Sequence, residues 1–315
     1  MLNVLALAVA AVLPSPAPAA SCTPMTTPFV GSICAPGTPG KHPAIVLLGG
    51  SEGGDATAGR LAPIFARHGY VALAVAYFGA GDLPTSLVDV PVEPVGTAIG
   101  VAAARPDVDP AKIALFGLSK GGELALLAAS LYPQVHAVIA DVPSPFAWQG
   151  ITQSPAAESS WTHGGTPLPF VAYGSAMGQI FADAFAKHTP LALRPGYDGS
   201  MIQNAAQIPA ATFHLENVRG PILFLAADDD QVWNSVRQSQ LAMAYLKQHH
   251  HPYADREIDY PDAGHMFLFA TPERPFLSAP FGSGMTLELG GTPAGNVAAA
   301  KAAWPQIFAF LDQAL

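Results

Sequence analysis

One serine of this 315-residue chain lies in a segment that could make it a nucleophile. Ser119 is flanked by Gly117 and Gly121 in the pattern Gly-x-Ser-x-Gly, after an apolar run and before a helix-forming one. This strand–turn–helix context is typical of a nucleophile elbow, in which the glycines let the strand and the helix approach closely. We therefore interpret Ser119 as a nucleophile that attacks an acyl carbonyl. The alternative is an ordinary glycine-rich turn.

A nucleophilic serine needs a base and an acid that orients the base. In this arrangement the acid and then the histidine follow the serine along the chain. His265 lies in a glycine-containing turn after a strand-like segment, so we assign it as the base. Three consecutive carboxylates, Asp228, Asp229 and Asp230, follow an earlier apolar strand. We favour Asp230 as the acid, with Asp229 as the alternative, and interpret Asp228 as a surface or turn residue.

Acyl transfer to a serine also needs N–H donors that stabilise the developing oxyanion. We expect one donor from the backbone of Lys120, at the start of the helix that follows the nucleophile. The second is expected from the glycine-rich loop 49–54, where we favour Ser51, with Gly50 next. The loop lacks the lysine-containing pattern of a phosphate-binding loop and the acidic ribose partner of a dinucleotide site. We predict no cofactor and no metal.

The composition narrows the class of protein. Hydrophobic residues make up 50% of the chain and charged residues only 12%, which excludes a disordered chain. The formal net charge of −9 argues against a nucleic-acid partner, because phosphate binding needs clustered Lys and Arg. A small-molecule substrate is the expected partner.

The N-terminus suggests export. Residues 1–13 are mostly apolar but too few to cross a bilayer, which takes about 20 residues. Small residues follow, so we predict a signal peptide over residues 1–20 and a secreted or periplasmic protein. The alternative is an apolar extension on a cytoplasmic protein. Cys22 and Cys34 then lie in an N-terminal extension, 21–41, where we predict that they form a disulfide.

Strand-like and helix-like segments alternate along most of the remaining chain. We predict strands at 44–48, 71–77, 113–116, 135–140, 222–226 and 256–260, and helices at 56–67, 95–104, 123–131, 235–247 and 297–311. This alternation predicts a mostly parallel sheet with helices on both faces. Residues 143–219 interrupt it, and we interpret them as an inserted lid or pocket wall. Their aromatic residues could line an acyl pocket or pack the insertion onto the body.

Several motifs together resemble a known family. They are FARHGYVALAVAYFGAGDLP at 65–84, FGLSKGGELALLAAS at 116–130, the Asp-Asp-x-x-Trp pattern at 229–233, and Tyr-Pro-x-x-Gly-His at 260–265. Residues 42–315 resemble the C-terminal catalytic domain of acyl-CoA thioesterases and bile acid-CoA:amino acid N-acyltransferases. The resemblance implies an α/β-hydrolase fold with a triad of Ser119, Asp230 (or Asp229) and His265. Dienelactone-hydrolase-like enzymes are relatives in fold.

Together these features predict a serine hydrolase that cleaves acyl thioesters or oxygen esters. A serine nucleophile resembles the hydrolysing members of that family more than the acyl-transferring ones. Export disfavours a CoA thioester, because CoA is mainly cytoplasmic. The alternatives are an exported carboxylesterase or dienelactone-hydrolase-like enzyme, an acyltransferase and, remotely, a non-catalytic acyl-binding protein. Acyl chain length and oligomeric state stay open.

Overall fold

The computed structural model describes residues 20–152, 156–281 and 284–315. The strands are β1 (Ser21–Met25), β2 (Gly31–Ala35), β3 (His42–Leu48), β4 (Val71–Val75), β5 (Val90–Pro91), β6 (Val108–Leu118), β7 (Ala137–Asp141), β8 (Trp161–His163), β9 (Thr166–Pro167), β10 (Ile222–Ala227), β11 (Arg256–Tyr260), β12 (Ser278–Phe281) and β13 (Met285–Glu288). The helices are α1 (Ala56–Arg67), α2 (Glu93–Ala104), α3 (Lys120–Leu131), α4 (Ser175–Lys187), α5 (Arg194–Gln203), α6 (Ile208–Ala211), α7 (Ser235–Gln248) and α8 (Pro293–Ala314). The predicted signal peptide lies outside the described residues, apart from Ala20.

Eight strands form the central sheet, in the order β1-β2-β4-β3-β6-β7-β10-β11. The six strands from β4 to β11 are mutually parallel, whereas β2 runs antiparallel to both β4 and β1. The predicted mostly parallel sheet is therefore confirmed. The carboxyl ends of parallel strands meet at one edge of the sheet, where α/β proteins place their binding sites.

Both faces of the sheet are covered by helices, as the sequence predicted. Along β3, Ala44, Val46 and Leu48 pack into the apolar layer that contains the buried faces of α2, α3 and α7. The alternate residues Ile45 and Leu47 pack into the layer under α1 and α8. This alternation follows from the two-residue period of a strand, and it explains why the strands read as continuous apolar runs.

Local signals account for the helix boundaries near the sheet. The Asn234 side chain accepts a hydrogen bond from the backbone N–H of Arg237 and caps the start of α7. The Thr292 hydroxyl accepts from Gly295 N–H at the start of α8 in the same way. Such caps satisfy backbone donors that have no partner within the helix.

The segment that the sequence analysis separated as an N-terminal extension, 21–41, supplies β1 and β2 to the central sheet instead. Cys22 and Cys34 are directly opposite each other in this hairpin and form a disulfide. The sequence analysis did not predict β1 as a strand, because four of its five residues are exposed and it therefore has no apolar run. Backbone hydrogen bonds at a sheet edge do not require one.

Residues 143–219 leave the sheet after β7 and return to it at β10, and they carry β8, β9 and helices α4–α6. Their aromatic residues serve both purposes that the sequence left open. Phe146 and Trp148 are fully buried in packing, whereas Tyr173 and Phe181 line a cavity. Within the described residues, no helix has an apolar stretch of the length and hydropathy that a membrane span requires.

The disulfide provides a test of the edge hairpin. Cys22→Ser or Cys34→Ser should lower the free energy of unfolding by about 2–4 kcal/mol, because the unfolded chain regains the freedom of the closed loop. Turnover should be unaffected, since β1 and β2 lie at the opposite edge of the sheet from β10 and β11. Thermal melts of the wild type with and without reductant provide the control. Equal melting temperatures in all four samples would contradict the prediction.

Candidate active site

Ser119 lies in a strained turn between β6 and α3. Its backbone has φ 55° and ψ −120°, a combination that residues other than glycine rarely adopt. Its N–H donates to Asp141 O at 2.8 Å, which ties the turn to the end of β7. The flanking glycines are sterically required: a Cβ on Gly117 would lie 2.0 Å from Gly121 O, and one on Gly121 would lie 2.0 Å from Gly49 O. The turn therefore has the geometry expected of a nucleophile elbow.

The structure brings Ser119, His265 and Asp230 into one hydrogen-bonded chain. The Oγ of Ser119 is 2.8 Å from Nε2 of His265, and Nδ1 of His265 is 2.8 Å from Oδ2 of Asp230. All three side chains are buried, at 7%, 5% and 0% exposure. A carboxylate only accepts hydrogen bonds, so the His265 tautomer with hydrogen on Nδ1 leaves Nε2 free to accept the serine proton.

The three neighbouring carboxylates after β10 have different partners. Oδ1 of Asp230 accepts hydrogen bonds from Val232 N–H and Trp233 N–H, which aims Oδ2 at the imidazole. Asp229 instead accepts from Gln231 Nε2 and from the backbone N–H of Gly291. The backbone carbonyl oxygen of Asp228 accepts a hydrogen bond from the Arg194 side chain. Asp230 is thus the carboxylate that reaches His265, while Asp229 holds the neighbouring loop.

His265 is held from two sides. Its backbone N–H donates to Leu289 O at 2.7 Å, and the edge of the Trp233 ring meets the imidazole with centroids 5.7 Å apart. The preceding Gly264 passes so close to the chain that a Cβ there would lie 2.1 Å from Gly290 O. This contact explains why a glycine precedes the histidine.

The two expected oxyanion donors, Ser51 and Lys120, line the same cavity as Ser119. The Tyr77 hydroxyl lies within hydrogen-bond distance of two carbonyl oxygens of the loop, at 2.9 Å from Gly49 O and closer still to Gly50 O. The C=O and N–H of a trans peptide point in opposite directions. The Gly50 carbonyl faces Tyr77, so the Ser51 N–H points away from it. Sequence reasoning missed this role of Tyr77.

A buried ion pair lies directly behind the nucleophile and was not predicted. Lys120 Nζ is 2.7 Å from both carboxylate oxygens of Glu123 and 2.8 Å from Ser160 Oγ. Glu123 Oε1 also accepts from the Trp148 backbone N–H at 3.0 Å and from Trp161 Nε1 at 2.6 Å. Burial raises the pKa of Glu123, and the Lys120 ammonium opposes that rise. The pair joins the first turn of α3 to the 143–219 insertion.

A third buried carboxyl, Asp141 at the end of β7, takes no part in the hydrogen-bonded chain. It is 0% exposed, and neither of its carboxyl oxygens has a hydrogen-bond partner among the residues that the structure describes. Burial, and secondarily the charge of Asp230, raise the pKa of Asp141 well above its ordinary value of 3.8. Burial therefore favours the neutral form of this carboxyl in the folded protein.

Ser119 opens into a cavity of about 240 Å³. Most of its walls are apolar or aromatic: Ile151, Tyr173, Met177, Phe181, Leu193, Tyr197, Val232, Trp233, Phe281 and Leu287. Among the residues that the structure describes, no group of three His, Cys, Asp or Glu side chains is arranged to hold a metal. The site thus combines a serine that is hydrogen-bonded to a histidine with an apolar space beside it.

Asp141 should make stability depend on pH. Between its ordinary pKa of 3.8 and its raised folded pKa, the folded state holds a proton that the unfolded chain has released. Stability from this group is therefore complete at low pH and falls as the pH rises, by at most about 1.4 kcal/mol per pH unit. Asp141→Asn cannot titrate, so its stability relative to the wild type should increase from pH 4 to pH 8 in denaturant titrations.

Asp82→Asn is the matched control for that measurement, because the Asp82 side chain is exposed on the surface. Its stability relative to the wild type should change little over the same range. A constant difference between Asp141→Asn and the wild type from pH 4 to pH 8 would show that Asp141 is not buried as a neutral acid.

Known proteins resemble this chain in sequence. Its residues 91–315 match the model of the family described as BAAT / Acyl-CoA thioester hydrolase C terminal. Acyl-coenzyme A thioesterase 6 of Homo sapiens is 28% identical over 296 residues, covering 91% of this chain and 64% of the human protein. Acyl-coenzyme A amino acid N-acyltransferase 2 of Rattus norvegicus is 29% identical over 296 residues, covering 90% and 63%. The chain therefore spans less than two thirds of these relatives.

Solved structures resemble it in fold. A putative dienelactone hydrolase from Klebsiella pneumoniae has a TM-score of 0.54 and 16% identity, covering 93% of this chain and 98% of that one. The dienelactone hydrolase-like promiscuous phosphotriesterase P91, from metagenomic libraries, has a TM-score of 0.53 and 14% identity, covering 94% and 99%. With the family match over most of its length, this chain belongs to the BAAT / acyl-CoA thioester hydrolase C-terminal family and has the α/β-hydrolase fold.

Proposed function

We propose that this chain is a serine hydrolase that cleaves acyl thioesters or oxygen esters through an acyl-enzyme intermediate. The observation that carries the proposal is the hydrogen-bonded chain from Ser119 through His265 to Asp230. Ser119 and His265 are 146 positions apart in sequence and Asp230 and His265 are 35 apart, and a packing role needs no such alignment. The acyl hydrolases among the relatives support the same chemistry.

In this mechanism His265 Nε2 takes the proton of Ser119 Oγ while the oxygen attacks the acyl carbonyl. Asp230 keeps the hydrogen on Nδ1 and stabilises the imidazolium that forms. The N–H groups of Ser51 and Lys120 stabilise the negative charge on the carbonyl oxygen. The leaving group then departs with the proton from Nε2. Water, activated by the same nitrogen, releases the acid and restores Ser119.

A serine nucleophile favours hydrolysis over transfer to an amine. A thiolate transfers acyl groups to amines more readily than an alkoxide does, and this chain has serine at position 119. The N-acyltransferase among the relatives therefore describes the less favoured chemistry for this chain.

We further propose that the protein acts outside the cytoplasm. The support is the apolar start of the sequence and the disulfide between Cys22 and Cys34, since disulfides persist mainly in oxidising compartments. An exported enzyme would meet little CoA, so an oxygen ester or another acyl compound becomes the natural substrate.

The roles of the three residues can be tested by substitution. Ser119→Ala and His265→Ala should each lower kcat by about four to six orders of magnitude. Asp230→Asn should cost about three to four orders, because the imidazole then takes the wrong tautomer. The adjacent Asp229→Asn is the matched control, since Asp229 contacts Gln231 and Gly291 instead of His265. A larger loss in Asp229→Asn than in Asp230→Asn would refute the acid assignment.

Thioester and oxygen-ester substrates can be separated with one acyl chain presented as its CoA thioester and as its nitrophenyl ester. We expect kcat/KM to be equal or to favour the nitrophenyl ester, with Ser119→Ala inactive on both. A clear preference for the CoA thioester would mean that the protein contacts the nucleotide, and it would contradict the proposed export.

A further inference from the structure

Two phenol hydroxyls interrupt the mostly apolar cavity beside Ser119. Tyr173, just before α4, and Tyr197, in α5, both line this cavity, and their hydroxyl oxygens are 3.3 Å apart. Their rings meet edge to face, with centroids 5.5 Å apart. The two hydroxyls therefore form one polar spot in an apolar wall.

The hydrogen count of this pair leaves one donor without a partner. Each phenol carries one hydrogen, and the bond between the two oxygens uses one of the two. Within the described residues, neither hydroxyl has a second hydrogen-bond partner. One O–H group, together with free lone pairs, is thus available to a molecule in the cavity. Phenylalanine at both positions would line the wall without leaving a donor unsatisfied, whereas phenylalanine at one position would leave the other hydroxyl without its partner.

Both hydroxyls remain protonated at physiological pH. Burial raises the pKa of Tyr173 well above its ordinary value, and the neighbouring Tyr197 raises it further. Burial also raises the pKa of Tyr197 and outweighs the hydrogen bond with Tyr173, which lowers it; Glu123 and Asp230 raise it further. The pair therefore donates as neutral phenols and does not carry a charge into the cavity.

One aromatic ring, that of Trp233, lies between Tyr197 and the base His265. The Tyr197 ring meets Trp233 edge to face at 5.4 Å, and Trp233 meets His265 at 5.7 Å. The two hydroxyls bond each other, whereas Ser119, His265 and Asp230 form their own hydrogen-bonded chain on the same cavity. A group bound by the two hydroxyls is therefore a part of the substrate other than the scissile carbonyl. The acyl group is the part of the substrate that stays attached to Ser119 through both halves of the reaction, and Ser119 lines this cavity.

We propose that Tyr173 and Tyr197 form a polar subsite for an oxygen atom carried within the acyl group, so that the preferred substrates are oxygenated acyl esters or thioesters. This inference rests on the proposed hydrolase function. A hydroxyl, ether or carbonyl oxygen at the right distance accepts the free O–H of the pair. An unbroken hydrocarbon chain leaves that donor unpaired in an apolar cavity, and sites built to hydrogen-bond a substrate discriminate against analogues that lack the partner.

Pairs of nitrophenyl esters that differ by one atom test the subsite. Pentanoate is compared with 3-methoxypropanoate, hexanoate with 4-methoxybutanoate, and heptanoate with 5-methoxypentanoate, so that oxygen replaces one CH₂ at increasing distance from the carbonyl. The measured quantity is the ratio of kcat/KM for the ether to kcat/KM for the hydrocarbon. This ratio is independent of how much of a variant is folded.

At one or more chain lengths, the double variant Tyr173→Phe/Tyr197→Phe should lower this ratio by about three- to tenfold relative to the wild type, the loss expected for one neutral hydrogen bond. The double variant is needed because each single variant keeps one phenol with a free O–H. Tyr70→Phe is the matched control, because Tyr70 is a buried phenol that packs on Phe65 away from the cavity. Its ratio should stay within about twofold of the wild type.

Each result decides between the two proposals. If the wild type hydrolyses both esters of each pair but the double phenylalanine variant has the same ratio as the wild type at every chain length, the subsite is refuted and the hydrolase stands. If the wild type hydrolyses no ester and Ser119 is not labelled by a fluorophosphonate, the hydrolase proposal falls and takes the subsite with it.

Discussion

The close approach of three backbone segments beneath Ser119 is the constraint on which the rest of the site depends. The strand before the nucleophile, the helix after it and the loop after β3 meet at distances that leave no space for a Cβ on Gly117 or Gly121. The backbone strain at Ser119 is held by that convergence. The same convergence puts the glycine-rich loop next to the nucleophile, so both expected oxyanion donors border one cavity with it.

The buried pair of Lys120 and Glu123 extends this constraint to the insertion. A buried carboxylate is costly unless it is paired and hydrogen-bonded, and Glu123 receives the Lys120 ammonium, an indole N–H and a backbone N–H. Two of these donors come from Trp148 and Trp161, in the insertion. The wall of the cavity and the first turn of the nucleophile helix are therefore joined by one polar network. Its members cannot move independently without leaving a charge unpaired.

Most of the central fold could be predicted from the sequence, and the exceptions have physical reasons. The apolar runs that became β3, β4, β6, β7 and β10 are buried on both faces, which gives the strongest strand signal there is. Strand β1 is largely exposed and carries no such signal, so its place in the sheet was missed. Helices α4 and α5 pack in an apolar cluster with residues such as Trp233 and Leu289, which are remote in sequence.

By itself the sequence determined the features that depend on local backbone geometry: the glycines around Ser119, the turn that presents His265, and the order of nucleophile, acid and base along the chain. Only the tertiary structure decided which of three adjacent carboxylates meets the histidine, that Tyr77 holds the glycine-rich loop 49–54, and that Tyr173 and Tyr197 share a hydrogen bond. The direction of a side chain in a turn is set by hydrogen bonds from its surroundings, and the two tyrosines come from separate elements. Contacts between residues far apart along the chain exist only once the sheet and the insertion have packed together.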